Sequence, residues 1–171
     1  AAHHPVVYDD LSLGHRRAVK WGPCVVADLA DRSALERALR EHRIEAVMHF
    51  AGSSCVGESM QLPAQYFRNN LAGAACLLDV MLQRGVGKIV FSSTCAAYGL
   101  PDAVPIDEKH AVKPVNPYGE SKLAVEKMLE WLGKLKGLRY VALRYFNAAG
   151  ADSEAEIGEA HDPETHLIPL A

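Results

Sequence analysis

Short apolar runs alternate along this chain with stretches in which apolar residues recur every three or four positions. Runs of the first kind, rich in β-branched residues, are typical of buried strands, and stretches of the second kind are typical of helices with one apolar face. The predicted strands lie at 6–8, 24–27, 45–50, 88–92 and 139–146. The predicted helices lie at 33–42, 64–83 and 118–132.

Local signals set the ends of the predicted helices. Ser33 followed by Glu36 is a capping-box pattern, which predicts that the first helix begins there. Pro63 opens the second helix, and Arg84-Gly85 is typical of its end. Apolar stripes predict the buried faces of the second and third helices: Phe67, Leu71, Ala74, Leu78 and Met81 or Leu82, and then Val125, Met128, Leu129 and Leu132.

The alternation of strands and helices predicts an α/β fold, a Rossmann-like doubly wound parallel sheet covered on both faces. Such sheets bind ligands beyond the carboxyl ends of their strands. The residues that follow the strands are therefore the first candidates for function: Asp9-Asp10, Asp28-Leu29, Phe50-Ala51-Gly52, Ser92-Ser93-Thr94 and Asn147.

Composition and charge restrict the class of protein. The 171 residues correspond to one domain or part of one. A net charge of −3 offers no basic surface to phosphates, so we expect no nucleic-acid partner. No uncharged apolar stretch approaches the roughly 18 residues of a membrane span, and the first residues lack a signal-peptide pattern. We therefore expect no membrane contact and a cytoplasmic location.

The cysteines and histidines suggest neither a disulfide framework nor a metal site. Cys24, Cys55, Cys76 and Cys95 are dispersed and form no CxxC pair, so we expect free, buried thiols. The eight histidines form no HxxxH pattern and no cluster with cysteine, so no metal is predicted.

The strongest local signal is the pair Tyr118 and Lys122, which four residues of helix place on one face about 6 Å apart along the axis. A nearby ammonium stabilises a phenolate and lowers the pKa of tyrosine, so we expect a phenol that works as an acid or base near neutrality. Ser93-Thr94 could place a hydroxyl beside that phenol. On spacing alone, a surface tyrosine and lysine at a helix start are an equally good interpretation.

A series of motifs in a fixed order narrows the interpretation. They are His49-Phe50-Ala51-Gly52, Val56-Gly57-Glu58-Ser59, Phe91-Ser92-Ser93-Thr94 with Tyr98-Gly99, Asn116-Pro117-Tyr118-Gly119-Glu120-Ser121-Lys122, Leu143-Arg144-Tyr145-Phe146-Asn147 and Pro163-Glu164-Thr165-His166-Leu167-Ile168-Pro169. With these motifs the chain resembles the sugar-nucleotide 4-epimerases of the extended short-chain dehydrogenase/reductase family. The resemblance covers the chain from Val6 to Ala171. It implies an NAD-dependent isomerase that interconverts UDP-glucose and UDP-galactose.

The resemblance also implies which residues hold NAD. A carboxylate after the first strand would bind the adenosine ribose and repel a 2′-phosphate, which favours NAD over NADP. Without the resemblance, Asp9-Asp10 is more typical of a turn, and Asp28-Leu29 is equally typical of a helix entry. A hydrogen-bonded buried amide is an alternative interpretation of Asn70. The implied NAD-binding residues are Asp9, Asp10, Leu11, Ser12, Leu13, Gly14, Asp28, Leu29, Phe50, Ala51, Gly52, Ser53, Ser54, Asn70, Ser92, Ser93, Thr94, Tyr118, Lys122 and Phe146.

For the reaction, the resemblance implies that Thr94, Tyr118 and Lys122 are catalytic. Tyr118 takes the proton of the sugar 4-hydroxyl while C4 gives hydride to NAD. Lys122 holds the phenolate, and Thr94 steadies the same sugar oxygen. The 4-keto sugar then turns over, and hydride returns to its other face. The implied substrate contacts are Thr94, Tyr118, Phe146, Asn147, His166 and Leu167.

Three alternatives stay open at this stage. A nucleotide-sugar 4,6-dehydratase would carry an acid pair directly after the threonine, where this chain has Cys95-Ala96, so epimerisation is favoured. An N-acetylated or pentose nucleotide sugar could replace UDP-glucose as the substrate. A non-catalytic dimerising or NAD-sensing module would have no chemical need for the tyrosine and lysine. We also expect a homodimer that forms through helices 64–83 and 118–132.

The chain departs from the family pattern in three places. The glycine-rich turn that binds the cofactor diphosphate is not found before Val6, the family continues beyond Ala171, and Ser54 stands where many members have lysine. We therefore expect a fragment in which 1–147 form an incomplete NAD-binding domain and 148–171 begin a substrate-binding region. Such a fragment would expose two strand edges, bind NAD poorly and show little activity.

Overall fold

Strands and helices alternate along the chain in the computed structural model, which describes residues 3–154, 157–161, 164 and 170–171. All five predicted strands and the three predicted helical regions are present, with ends that differ by a few residues. The strands are β1 (Val7–Asp9), β2 (Cys24–Val26), β3 (Val47–His49), β4 (Lys88–Thr94) and β5 (Arg139–Tyr145). The helices are α1 (Arg32–Glu41), α2 (Val56–Gln61), α3 (Pro63–Tyr66), α4 (Gly73–Gln83) and α5 (Pro117–Lys136).

The described strands form two parallel sheets, where the sequence predicted one. β1 pairs with β2, and Val7 lies opposite Cys24. β4 lies between β3 and β5, with Ile89 opposite both Val47 and Tyr140. The chain divides accordingly into two units, one of residues 28–146 and one of residues 1–27 with 147–171. The predicted α/β class is confirmed, because helices connect parallel strands in the larger unit.

In the larger unit, the first helix begins earlier than the capping box predicts. The side chain of Asp31 accepts a hydrogen bond from the Ala34 amide and caps α1, so Ser33 lies inside the helix. The predicted cap was wrong because two acceptor residues of similar capping preference stand two positions apart. The buried face of α1 packs against α4, whose Leu77, Leu78, Val80 and Met81 are all buried.

The second helical region is longer and less regular than predicted. It starts with α2, which the sequence analysis missed, and it contains a π-helical segment, Phe67–Ala72, between α3 and α4. The predicted apolar stripe is buried at Ala74, Leu78 and Met81, but Phe67 is 38% exposed. A π turn widens the helix, so residues on either side of it no longer follow one α-helical stripe.

The third helix and the last strand complete the larger unit. α5 buries Leu123, Val125 and Leu129, whereas Met128 and Leu132 of the predicted stripe are half-buried. It ends at Gly137, whose φ of 70° is the left-handed conformation that favours glycine at a helix C-terminus. β5 carries the exposed side chains of Val141, Leu143 and Tyr145, so the described sheet is not covered on both faces as predicted.

The smaller unit consists of β1, β2, a short 3-10 turn at Arg16–Ala18 and the described part of 147–171. Within its described residues, Glu159, His161 and Glu164 offer possible metal-ligand atoms that lie within 4.8 Å of one another. Glu159 and His161 are exposed, and exposed acidic clusters are common in proteins that bind no metal ion there.

Two further expectations concern the whole described chain. All four cysteines are free, but none is buried and Cys55 is exposed, so the prediction of buried thiols is wrong. Cys55 is the N-cap residue of α2, a helix that the sequence analysis did not predict. No helix among the described residues is long and apolar enough to cross a membrane.

Candidate active site

The first turn of α5 brings Tyr118 to the carboxyl end of β4. Asn116 caps this helix by accepting a hydrogen bond from the Gly119 amide at 2.8 Å, and Pro117 occupies the first turn. Gly119 has no side chain at a point of close approach, where a Cβ would lie 2.7 Å from the Ala96 carbonyl oxygen. The start of the helix therefore packs directly on the turn that follows Thr94.

Thr94 is the last residue of β4. Its Oγ1 accepts a hydrogen bond from the Ala96 amide at 3.1 Å, which caps the 3-10 turn Cys95–Ala97. The Thr94 hydroxyl also lowers the pKa of the Tyr118 phenol, as a hydrogen-bond donor to a phenolate does. The structure thus brings together two of the three predicted catalytic side chains.

The pKa of Tyr118 departs from the prediction. Burial raises the pKa of the Tyr118 phenol, and the hydrogen bond from Thr94 offsets only part of that rise. The sequence analysis expected a lowered pKa because it considered the charge of Lys122 and not the loss of solvent around the ring. The edge of the Tyr118 ring meets Tyr66, with 6.4 Å between centroids and an interplanar angle of 83°.

Lys122 lies one helical turn after Tyr118, and its ammonium is buried at the ends of two strands. The residue is 4% exposed, and Nζ donates to the Ser92 carbonyl at 3.1 Å. It also lies 5.1 Å from the centroid of the Phe91 ring, a cation–π contact. Burial lowers the pKa of Lys122 to about 8, so the side chain is still charged at pH 7.

Gly52 lies just after β3, beside this ammonium. Its φ is 137°, and a Cβ there would lie 2.8 Å from Asn70 Oδ1 and 3.5 Å from Lys122 Nζ. Any other residue would be strained there, and its Cβ would crowd Asn70. The glycine at this position therefore has a cause within the protein itself.

Asn70 is a buried clamp between the loop after β3 and α5. Its Oδ1 accepts from the Ser53 amide at 2.8 Å, and Nδ2 donates to the Ser53 carbonyl at 3.0 Å and to Ser121 Oγ at 3.1 Å. Both N–H groups of the amide donate hydrogen bonds within the protein. The side chain is therefore a hydrogen-bonded buried amide, which is the alternative interpretation that the sequence offered. Ser121 in turn donates to the Tyr118 carbonyl, which connects the clamp to the first turn of α5.

The other predicted NAD-binding residues of the larger unit fall into three groups. Phe50, Ala51 and Ser54 are exposed in the loop after β3. Asp28 accepts from the Ala30 amide at 2.6 Å in a helix-entry turn, and Leu29 lies against Gly73 at the start of α4.

The third group lies at the ends of β4 and β5. Ser93 donates its hydroxyl to Glu126, whereas the Thr94 hydroxyl acts on the pKa of Tyr118, because neighbouring residues of a strand point to opposite faces. Of the predicted pair, Thr94 alone therefore meets the phenol. Phe146 is exposed and stacks on Tyr98 with 6.4 Å between ring centroids.

In the smaller unit, the residues predicted to meet the ribose form a tight loop after β1. Asp9 accepts from the Leu11 amide, and Asp10 accepts from both the amide and the hydroxyl of Ser12. These bonds lower the pKa of Asp10. The loop continues through exposed Leu13 to Gly14, where a Cβ would lie 2.7 Å from Asp9 Oδ1. Asn147 belongs to this unit, whereas His166 and Leu167 lie outside the described residues.

Two residues near the site were not predicted. His49 is buried at the end of β3, 5.5 Å from the Phe91 ring, and burial together with the charge of Lys122 lowers its pKa to about 4. Tyr66 is fully buried, and its hydroxyl lies 2.6 Å from a carboxylate oxygen of Glu58. A polar residue at an inward position of a strand is the signal that could have identified His49.

The chain is similar to known proteins over most of its length. Residues 5–171 match the NAD dependent epimerase/dehydratase family. The UDP-glucose 4-epimerase of Rhizobium meliloti is 53% identical over 169 residues, which are 99% of this chain and 52% of that protein. The chain spans about half the length of the curated relatives it matches.

Solved structures give the same result. The crystal structure of UDP-glucose 4-epimerase from Brucella ovis in complex with NAD has a TM-score of 0.96 at 51% identity and covers 99% of this chain and 52% of that one. The enzyme from Stenotrophomonas maltophila, with bound NAD and formylated UDP-arabinopyranose, has a TM-score of 0.91 at 38% identity, over 98% of this chain and 53% of that one. The Rossmann-like fold is thereby confirmed, and the chain belongs to the NAD dependent epimerase/dehydratase family.

Proposed function

We propose that the protein interconverts UDP-glucose and UDP-galactose by epimerisation at C4, with NAD as a tightly held cofactor. The observation that carries the proposal is the grouping of Thr94, Tyr118 and Lys122 at the carboxyl end of β4. Curated relatives at 47–53% identity are UDP-glucose 4-epimerases, which supports the same reaction.

The described residues fit a nicotinamide cofactor at this edge of the sheet. Gly52 places no side chain beside Lys122, and the loop after β3 is exposed around it. Bound NAD would accept hydride from C4 of the sugar and return it to the other face. We propose that the predicted NAD-binding residues hold it, with Lys122 on the nicotinamide ribose and the loop 9–14 on the adenosine ribose.

The chain supplies the proton transfer that accompanies the loss of hydride. Tyr118 accepts the proton of the 4-hydroxyl as the C4–O4 bond becomes a carbonyl, and gives it back when the hydroxyl is re-formed. The Thr94 hydroxyl lowers the pKa of the phenol and offsets part of the rise that burial causes. We propose that the Lys122 ammonium adds to the stabilisation of the phenolate during the reaction. Because the pKa of Lys122 is about 8, this stabilisation is present at neutral pH and declines above it.

The remaining substrate contacts and domain boundaries are parts of the same proposal. We assign Phe146, Asn147, His166 and Leu167 to the UDP-sugar, and residues 1–147 and 148–171 to the cofactor-binding and substrate-binding parts. Relatives with 35% identity include the UDP-Glc/GlcNAc 4-epimerase of Campylobacter jejuni, so an N-acetylated sugar is the second candidate substrate. A dehydratase is disfavoured, because Cys95 and Ala96 offer no carboxyl group to eliminate water.

The decisive test is turnover of UDP-galactose by the product of the complete reading frame that encodes these residues. A coupled assay with UDP-glucose dehydrogenase, in the presence of NAD, should show conversion that Tyr118→Phe abolishes. Tyr140→Phe is the matched control and should keep the wild-type rate. Tyr140 lies near the start of β5, at the end of the sheet away from Tyr118. Near-normal turnover by a folded Tyr118→Phe variant would disprove the proposal. Faster conversion of UDP-N-acetylgalactosamine would favour the second substrate.

We also propose a homodimer formed through the two predicted helical regions. Phe67 and Trp131 are 38% and 61% exposed on these regions, large apolar side chains that a second copy would cover. Sedimentation velocity should give a dimer that Trp131→Lys converts to a monomer. Leu100→Lys, in the loop before α5, is the control and should remain dimeric. A wild-type monomer at micromolar concentration would rule out this arrangement.

A further inference from the structure

A carboxylate one helical turn beyond Lys122 is held by residues of two strands. Arg144 of β5 donates to both carboxylate oxygens of Glu126, from Nε at 3.0 Å and from Nη2 at 2.6 Å. The hydroxyl of Ser93, on β4, donates to one of these oxygens. The side chains are 13% exposed for Glu126 and 23% for Arg144. Two-point binding of a carboxylate by arginine fixes its direction as well as its charge.

Glu126 and Lys122 have the spacing at which helix residues pair with each other. Residues four apart lie about 5–6 Å from one another at Cβ. Glu130 and Lys134 of the same helix form such a pair. Lys122 instead donates to the Ser92 carbonyl, so its ammonium is at the carboxyl ends of β3 and β4 and not on Glu126.

We propose that Arg144 and Ser93 hold the Glu126 carboxylate away from Lys122 and thereby keep the Lys122 ammonium in the candidate active site. Arg144 is then a positioning residue, which acts on Lys122 through Glu126. Its guanidinium is fixed on the other side by the Tyr98 ring, 4.8 Å from the ring centroid. The contacts of Glu126 and Lys122 are independent of the proposed function. Their importance for catalysis rests on the proposed role of Lys122 in proton transfer.

The charged and titratable groups around Lys122 determine its pKa, which can be measured. His49 faces it from β3, and Tyr118 and Glu126 share its helix. Burial is the cause of its lowered pKa, as expected for an ammonium that pairs with no carboxylate in the described part of the chain. A Glu126 carboxylate released from Arg144 would pair with Lys122 and raise that pKa.

The test is a titration of Lys122 followed by NMR of the labelled Cε position in the 171-residue chain. In Arg144→Met, the pKa of Lys122 should rise by about one to three units, the effect of an opposite charge at close range. In the double variant Arg144→Met/Glu126→Gln, it should return to the wild-type value, because no carboxylate remains. A purely structural role for Arg144 would leave the pKa equal in the single and double variants.

Two further variants keep the test decisive if Arg144→Met does not fold. Ser93→Ala removes one of the three bonds to Glu126 and should raise the pKa of Lys122 by a smaller amount. Arg84→Met, which breaks the surface pair with Glu36, is the control and should leave it unchanged. An unchanged Lys122 pKa in both Ser93→Ala and any folded Arg144→Met would overturn the inference. Absence of epimerase activity in the product of the complete reading frame would refute the proposed function, but it would not change the pKa of Lys122 in these titrations.

Discussion

Replacing Lys122 by Met is expected to stabilise the fold at neutral pH while it removes the proposed activity. The ammonium is 4% exposed, and burial lowers its pKa from 10.5 to about 8. An unfolded chain keeps the ordinary value. Folding at pH 7 therefore places a charged group where its charge is disfavoured, and a side chain of similar length without charge avoids this cost.

The size and sign of the effect follow from the two pKa values. At about 1.4 kcal/mol for each pKa unit, a change from 10.5 to about 8 corresponds to about 3 kcal/mol. Between these values the unfolded chain binds more protons than the folded one, so the stability of the wild type rises with pH across this window. Met leaves the Ser92 carbonyl without its donor, a loss of about 1 kcal/mol.

Lys122→Met should therefore be about 2 kcal/mol more stable than the wild type at pH 7 and about 1 kcal/mol less stable above pH 10.5. Urea unfolding followed by circular dichroism at both pH values measures the difference. Lys134→Met, on the exposed face of α5, is the control and should change stability by less than about 0.5 kcal/mol at either pH. A less stable Lys122→Met at pH 7, or a difference independent of pH, would refute the reasoning.

Three other predictions use the same surroundings. The pKa of buried His49 is lowered from 6.5 to about 4, so the wild type should lose about 3 kcal/mol of stability as pH falls through this range, a loss that His49→Phe avoids in urea titrations. Gly52→Ala should cost about 1–3 kcal/mol in the same assay, because φ is 137° and the new Cβ would press on Asn70; unchanged stability would contradict this. Isothermal titration of the 171-residue chain with NAD should show weak binding, since residues 9–14 follow a two-stranded sheet of marginal stability, and tight binding would count against it.

The sequence was sufficient for the features that depend on local periodicity. The strands at 88–92 and 139–146 and the helix after Pro117 were predicted to within a few residues, because their apolar patterns are strong. The first helix was placed correctly but its cap was not, since Asp31 and Ser33 are both good caps. The helix at 56–61 was missed because its short, mixed sequence has little periodicity.

The features that depend on tertiary packing could not be predicted. The motif placed Tyr118 and Lys122 on one helix, but the loss of solvent around Tyr118, which raises the pKa of its phenol, arises from the surroundings of the ring. The spacing did not show that Lys122 would bond to the Ser92 carbonyl. The hydrogen-bond partners of Asn70 could not be predicted either, since Ser53 and Ser121 lie 17 and 51 positions away in the sequence.

The π-helical segment Phe67–Ala72 makes the length of this stretch as important as its composition. Asn70 lies inside it, and its amide reaches the loop after β3 from there. A π turn holds one residue more than an α-helical turn, so the positions that face the core shift by one place in the sequence from one side of it to the other. A one-residue deletion that restores a regular α-helix would leave the buried face of α4 in place and remove the extra residue beside the Asn70 clamp. Loss of this clamp, and not a rotation of α4, is the expected result of such a deletion.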